Sequence, residues 1–212
     1  MIAALRKLLW LALLAAAAAQ AGNQHYEQMS ASVRASLSHA VSDTPVGKVS
    51  LFADADDRAW LNEMSKRLAW RMPDAEQRVA FLNTVHYEAL RAGLDTGLVL
   101  GLIEVESGFR KYAVSSTAAR GYMQVMPFWV AQIGTADQDL FHLRTNLRYG
   151  CTILRFYLDL ENGDLNRALA RYNGSLGKPD YPAMVWQAWH QHWSYTPVSV
   201  AMHADPGKMA GN

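Results

Sequence analysis

The chain has 212 residues, of which 50% are hydrophobic and 10% aromatic, and its formal net charge at pH 7 is +1. This size and composition predict one well-buried core and leave too little chain for two. The near-neutral charge argues against a nucleic-acid-binding surface and against a polybasic segment that would hold the chain on anionic lipid.

The N-terminus has the order of charged, apolar and small residues that is typical of a secretory signal peptide. Arg6 and Lys7 precede an apolar run over 8–19, and residues 19–21 (Ala-Gln-Ala) fit a signal-peptidase site. The run is shorter than the ~20 residues that span a bilayer, which disfavours an uncleaved anchor. We therefore expect residues 1–21 to be removed and the protein to be periplasmic. Because no cysteine follows the run, we expect no lipid anchor.

The rest of the chain reads as a succession of helices. Residues 22–55 are interpreted as an N-terminal arm or linker with a short helix around 33–39, and 195–212 as a flexible tail. Between them, apolar positions at helical spacing predict helices over 56–72, from 74 to Gly93, from 95 or 96 to Ser107, over 146–160, over 165–172 and over 181–193. Residues 118–133 are predicted to open with a tight turn and to continue as a helix that carries Met123, Val125 and Met126, whose regularity Pro127 limits. The predicted fold is all-α, with a single domain over 56–194.

The helix that ends at Ser107 is almost wholly apolar and still carries two carboxylates, Glu104 and Glu106. Its apolar surroundings predict a central, buried position. Helical geometry puts Glu106 beside the apolar side and Glu104 roughly opposite, so at least one glutamate must be desolvated. Desolvation keeps a carboxyl group protonated near neutral pH, as a general acid requires. The alternative is that caps or an arginine satisfy both glutamates.

Several short motifs follow one another in a recognisable order. They are Glu106-Ser107-Gly108-Phe109, Ala113-Val114-Ser115, Ala119-Arg120-Gly121-Tyr122-Met123-Gln124, Asn146 with Gly150, Asp164-Leu165 with Ala168-Leu169, and Ala170-Arg171-Tyr172-Asn173. In this order and at these separations they resemble the catalytic domain of the soluble lytic transglycosylases, whose fold is similar to goose-type lysozyme. The resemblance covers roughly 94–193 and implies a single lysozyme-like helical domain.

The resemblance also implies roles for individual residues. Glu106 would act first as the acid and then as the base in cleaving peptidoglycan between N-acetylmuramic acid and N-acetylglucosamine, leaving a 1,6-anhydromuramyl end. Substrate-binding roles would fall to five further residues: Ser107, Met123, Gln124, Tyr172 and Asn173. The tyrosine hydroxyl would lie near the glutamate, and the asparagine would contact the N-acetyl region. From the residues alone, Ser107 could instead be a polar residue at a helix end, and Gln124 could satisfy loop carbonyls.

The chain departs from the family pattern at three places. Ser116-Thr117-Ala118-Ala119 replaces the commoner Pro-Ala-Gly-Ala, Tyr122 replaces leucine, and Gly174-Ser175 replaces Ala-Gly. The first change would alter the turn if the family glycine has a positive φ. Tyr112, Tyr122 and Trp129 are candidate sugar-stacking walls, although aromatic residues at helical spacing usually pack in the core.

No metal or other cofactor is expected. His86 has no partner at metal-ligand spacing, and Cys151 is interpreted as a small buried residue. We expect a monomer that acts on peptidoglycan strands without binding nucleic acid, with partners in the cell envelope left open.

Two alternatives to the transglycosylase remain. One is a hydrolysing goose-type lysozyme that uses an aspartate such as Asp137 or Asp139 to position water. The other is a non-catalytic glycan-binding module with the same fold.

Overall fold

The computed structural model describes Gln24 and residues 28–42 and 55–196. Within these ranges the fold is all-α, as predicted, and the only β-type pairings are two isolated bridges, Val114 with Arg120 and Arg120 with Val125. The helices are α1 (Ala31–Val41), α2 (Ala55–Leu68), α3 (Ala75–Arg91), α4 (Thr96–Ser107), α5 (Phe128–Ile133), α6 (Leu143–Leu160), α7 (Leu165–Asn173) and α8 (Asp180–Ala188), which continues into a π-helical turn, Trp189–Trp193. None of these helices is long and apolar enough to cross a bilayer. The predicted signal peptide and most of the predicted tail lie outside the described residues.

Helix α4 is the central element, as its sequence predicted. The Asp95 side chain caps it by accepting a hydrogen bond from the Leu98 amide at 2.9 Å. Ten of its 12 residues are buried, and it packs against α3, α8 and the π-helical turn. Gly108 ends the helix in the left-handed conformation, with φ at 57°. The last turn of α4, which carries Glu106, therefore lies inside the domain.

Helix α3 begins after Asp74, whose side chain caps it, and two of its apolar side chains lie outside the core. Val79 and Leu90 are 39% and 51% exposed, because they lie off the stripe that faces the core. Glu88 lies on that stripe and is buried. Its carboxylate receives two hydrogen bonds from the buried Arg148 guanidinium, at 2.9 and 3.2 Å. The core face of α3 thus includes an ion pair that joins it to α6.

Helix α1 belongs to the same packed body. Its side chains Leu37 and Val41 are buried in the core, and Arg148 donates a hydrogen bond to the Ser42 carbonyl at 2.9 Å. The helix predicted around 33–39 is therefore present and longer than expected.

The helix predicted within 118–133 was wrong for most of its length. Only Phe128–Ile133 is helical, and Pro127 stands at its N-cap with φ at −59°. Proline fits the start of a helix and breaks the interior, so the chain before it cannot continue the same helix. Gly121 and Gln124 instead adopt positive φ values of 75° and 48°. Met123 and Val125 lie in this turn, and both are buried.

Ala118, which lies shortly before this turn, has an unfavourable backbone conformation. Its φ is 70°, a conformation that is strained for an L-residue with a Cβ atom. We expect Ala118→Gly to raise the free energy of unfolding by about 0.5–1 kcal/mol, because relief of that strain exceeds the added chain entropy of glycine. Urea denaturation measures the change. Thr117→Gly is the control: Thr117 is not among the positive-φ residues, so this change should lower stability, and equal effects of both changes would contradict the account.

Candidate active site

Glu106 projects from the last turn of α4 into the interior and is 2% exposed. Its Oε1 accepts a hydrogen bond from the Tyr181 hydroxyl at 2.5 Å. Its Oε2 is buried and has no hydrogen-bond partner among the described residues. One carboxyl oxygen is thus fixed by a neighbour, while the other is left for a further group.

Burial raises the pKa of Glu106 from 4.5 to about 8, and the hydrogen bond from Tyr181 opposes this rise. The raised pKa follows from desolvation, which penalises the charged carboxylate. The group is therefore largely a neutral carboxylic acid at pH 7. Because Tyr181 donates to Oε1, the acidic proton belongs on Oε2.

Glu104 has the opposite surroundings. Its oxygens accept hydrogen bonds from Arg71 at 2.9 Å and from Trp193 at 2.7 Å, and His192 lies at 3.0 Å. Neighbouring side chains therefore satisfy both oxygens of Glu104, whereas Glu106 keeps one oxygen without a partner among the described residues. Two carboxylates two residues apart on one helix have been given different chemistry by their neighbours.

The turn over 121–124 is held against α6 by the predicted Asn146 and Gly150 pair. The Asn146 amide accepts a hydrogen bond from the Met123 amide at 2.8 Å and donates to the Arg120 carbonyl at 2.8 Å. A Cβ atom on Gly150 would lie 2.3 Å from the Met123 sulfur, so only glycine lets the turn approach this closely. This motif therefore has a structural function, which is to fix the position of Met123.

Tyr172 connects this turn to the acid. It is fully buried, and its hydroxyl donates to the Met123 carbonyl at 2.7 Å. Burial first, and then the charge of Glu106, raise the pKa of Tyr172 well above its usual range. The direct hydrogen bond to Glu106 comes from Tyr181, and Tyr172 lies near enough to sense the carboxyl charge.

The other candidate residues are also buried. The Ser107 hydroxyl donates to the Ile103 carbonyl at 3.2 Å, and the Gln124 amide nitrogen donates to the carbonyls of Ala113 and Gly121 at 3.1 and 2.9 Å. Both side chains thus satisfy backbone groups here. Asn173 is buried at the end of α7, directly after Tyr172.

Tyr181 was not predicted as a site residue. The sequence identified it only as the first residue of the last helix, and no periodicity distinguishes a tyrosine that faces an acid from one that packs in the core. The one signal was its place shortly after the recognised Tyr172-Asn173 motif.

Two of the three candidate sugar-stacking residues lie in the core. Trp129 and Tyr122 are 3% and 7% exposed, whereas Tyr112 is 71% exposed.

Cys151 is buried, as predicted, and burial raises the pKa of its thiol. His86 pairs its Nδ1 with the Thr96 hydroxyl at 3.0 Å. Among the described residues, no group of three His, Cys, Asp or Glu side chains could hold a metal ion.

Comparison with known proteins finds similarity over the part of the chain that carries this site. Residues 83–180 match the family model described as the transglycosylase SLT domain. The chain is 39% identical over 64 residues to "Membrane-bound lytic murein transglycosylase C" of Mannheimia succiniciproducens, and 44% identical over 61 residues to the protein of that name from Glaesserella parasuis. These matches cover 30% and 29% of this chain, but only 16% and 15% of the relatives. Residues 83–180, which make up somewhat less than half of the chain, are thus similar to the transglycosylase SLT domain family.

Proposed function

We propose that this protein is a peptidoglycan lytic transglycosylase. It cleaves the β-1,4 bond between N-acetylmuramic acid and N-acetylglucosamine and leaves a 1,6-anhydromuramyl end. The observation that carries the proposal is the buried carboxyl of Glu106, whose pKa is raised to about 8 and whose Oε2 has no partner among the described residues. A protonated, unengaged carboxyl oxygen is the group needed to protonate a glycosidic oxygen.

In the first step, the proton on Glu106 Oε2 passes to the bridging oxygen, and the C1–O bond of the muramyl residue breaks. N-acetylglucosamine leaves with a free 4-hydroxyl group. Tyr181 keeps its hydrogen bond to Oε1 and thereby stabilises the carboxylate that forms. The substrate's own acetamido group stabilises the cationic C1 centre, so that a second protein carboxylate is not required.

In the second step, Glu106 acts as the base. It removes the proton from the muramyl C6 hydroxyl, whose oxygen attacks C1 and closes the anhydro ring. The proton lost in the first step is thus recovered and the carboxyl is neutral again. Ser107, Met123, Gln124, Tyr172 and Asn173 form the substrate-binding wall in this proposal, with Asn173 toward the acetamido group.

The proposed setting is the periplasm, where the protein works as a monomer without a lipid anchor and without a metal or organic cofactor. The name of the relatives, membrane-bound lytic murein transglycosylase, is consistent with action at the cell envelope. The substrate it implies, murein, carries the acetamido groups that the mechanism uses.

Mass spectrometry of the soluble products from purified peptidoglycan sacculi tests the reaction. The proposal predicts anhydromuramyl ends. Reducing ends that are one water heavier would instead identify a hydrolase, with Asp137 or Asp139 as candidates for positioning the water. Binding to sacculi without any soluble product would support a glycan-binding module.

The contact with Tyr181 gives a further prediction. Tyr181→Phe removes the hydrogen bond that lowers the pKa of Glu106, so the acid should stay protonated to higher pH. We expect the alkaline limb of the activity profile to move upward by about one pH unit, since a hydrogen bond to a charged group contributes roughly 1.5 kcal/mol. Tyr149→Phe is a control, because the Tyr149 hydroxyl bonds to Gln138. An unmoved limb in Tyr181→Phe would contradict the assignment.

A further inference from the structure

Gln24 is a polar side chain from the N-terminal segment that is buried inside the domain, with 4% exposure. Its carboxamide oxygen accepts a hydrogen bond from the Trp129 indole nitrogen at 2.8 Å and one from the Met126 amide at 3.4 Å. Both donors lie within five residues after the turn that holds Met123 and Gln124. The pocket that receives this carboxamide therefore lies close in sequence to the turn that carries two of the candidate site residues.

The other end of the carboxamide faces Tyr172. The pKa of Tyr172, raised mainly by burial and by Glu106, is lowered in part by the side chain of Gln24. The Gln24 nitrogen nevertheless forms no hydrogen bond of standard geometry to any described residue. An unpaired buried N–H is destabilising, so a glutamine that served only to stabilise the core would be poorly suited to this position.

The pocket has the chemistry of an amide receptor. It offers two N–H donors to a carbonyl oxygen, and the Tyr172 hydroxyl interacts with the amide end. An acetamido group presents the same carbonyl and N–H as a glutamine carboxamide, with a methyl group in addition. Both sugars of the proposed substrate carry an acetamido group, and the pKa of Tyr172 responds both to Gln24 and to the charge of Glu106.

We propose that the carboxamide of Gln24 occupies the place of a substrate acetamido group, so that this side chain competes with the glycan for the active site. This inference rests on the proposed function for the identity of the ligand. The glycan enters when the Gln24 side chain leaves.

The test compares Gln24→Ala with Gln28→Ala, a matched change in the same segment at an exposed position. If Gln24 fills the pocket about nine-tenths of the time, its removal lowers KM by roughly tenfold and leaves kcat unchanged. Gln28→Ala should leave both constants unchanged. A KM that stays the same or rises in Gln24→Ala, with a lower melting temperature, would show that Gln24 only stabilises the fold and would overturn the proposal.

A binding experiment separates this inference from the proposed reaction. Isothermal titration calorimetry measures the affinity of N-acetylated chitotriose for Glu106→Gln and for the double variant that also carries Gln24→Ala. Neither variant needs to cleave the sugar for this measurement. Tighter binding of the N-acetylated sugar by the double variant, together with no binding of the de-N-acetylated sugar, would support the acetamido pocket even if no product were ever formed. Equal affinity of the two variants, or equal binding of the deacetylated sugar, would overturn it.

Discussion

Glu106→Gln should reduce the release of soluble muropeptides from sacculi by on the order of 10³-fold. The amide cannot donate the proton that the leaving sugar needs, and it cannot accept the proton of the C6 hydroxyl, so both steps lose their general acid–base catalyst. The amide oxygen can keep the hydrogen bond from Tyr181, and the change adds no volume. The variant should therefore fold and bind glycan while failing to cleave it.

Glu104→Gln is the matched control for this loss. It makes the same chemical change two residues away on α4, on a carboxylate that Arg71 and Trp193 already engage. We expect this variant to retain activity within about tenfold of the wild type, because a structural ion pair contributes to stability rather than to proton transfer. A Glu106→Gln protein that kept comparable activity would contradict the assignment of the acid.

Glu106→Gln should also change stability in a pH-dependent way. The folded state raises the pKa of Glu106 from 4.5 to about 8, so between these values the folded protein holds a proton that the unfolded chain has released. Stability contributed by this group therefore falls as pH rises, by about 1.4 kcal/mol per pH unit. The glutamine variant does not titrate and does not share this loss.

Relative to the wild type, the variant should gain about 3 kcal/mol in free energy of unfolding between pH 4.5 and pH 7. Urea denaturation of both proteins across this range measures the difference, and other titrating groups cancel in the comparison. A stability difference that did not change with pH would mean that the folded protein leaves the pKa of Glu106 near its ordinary value.

The boundaries of most helices could be predicted because local chemistry sets them. Asp74, Asp95 and Asp164 cap the helices that follow them, and Gly174 ends α7 with a positive φ. The burial of Glu106 was also predictable, because the helix that carries it has hardly any polar face. These features depend on residues close together in the sequence.

Features that depend on distant contacts could not be predicted in this way. The turn over 121–124 is held by Asn146, which lies on α6. Tyr181 reaches Glu106 from 75 residues away in sequence, and Gln24 reaches Trp129 across 105 residues. No spacing rule indicates such pairs. The family resemblance identified the acid, while its hydrogen-bond partner and the side chain of Gln24 emerged only from packing.

Direct titration of the Glu106 carboxyl tests the central claim most closely. Carbon-13 NMR of glutamate side-chain carboxyl carbons, recorded from pH 4 to pH 10 on the wild type and on Glu106→Gln, isolates the signal of this residue by difference. We predict a single group that titrates near pH 8 and is missing from the variant. A difference signal that titrates near pH 4.5 would show a carboxylate at neutral pH and would contradict its role as the acid.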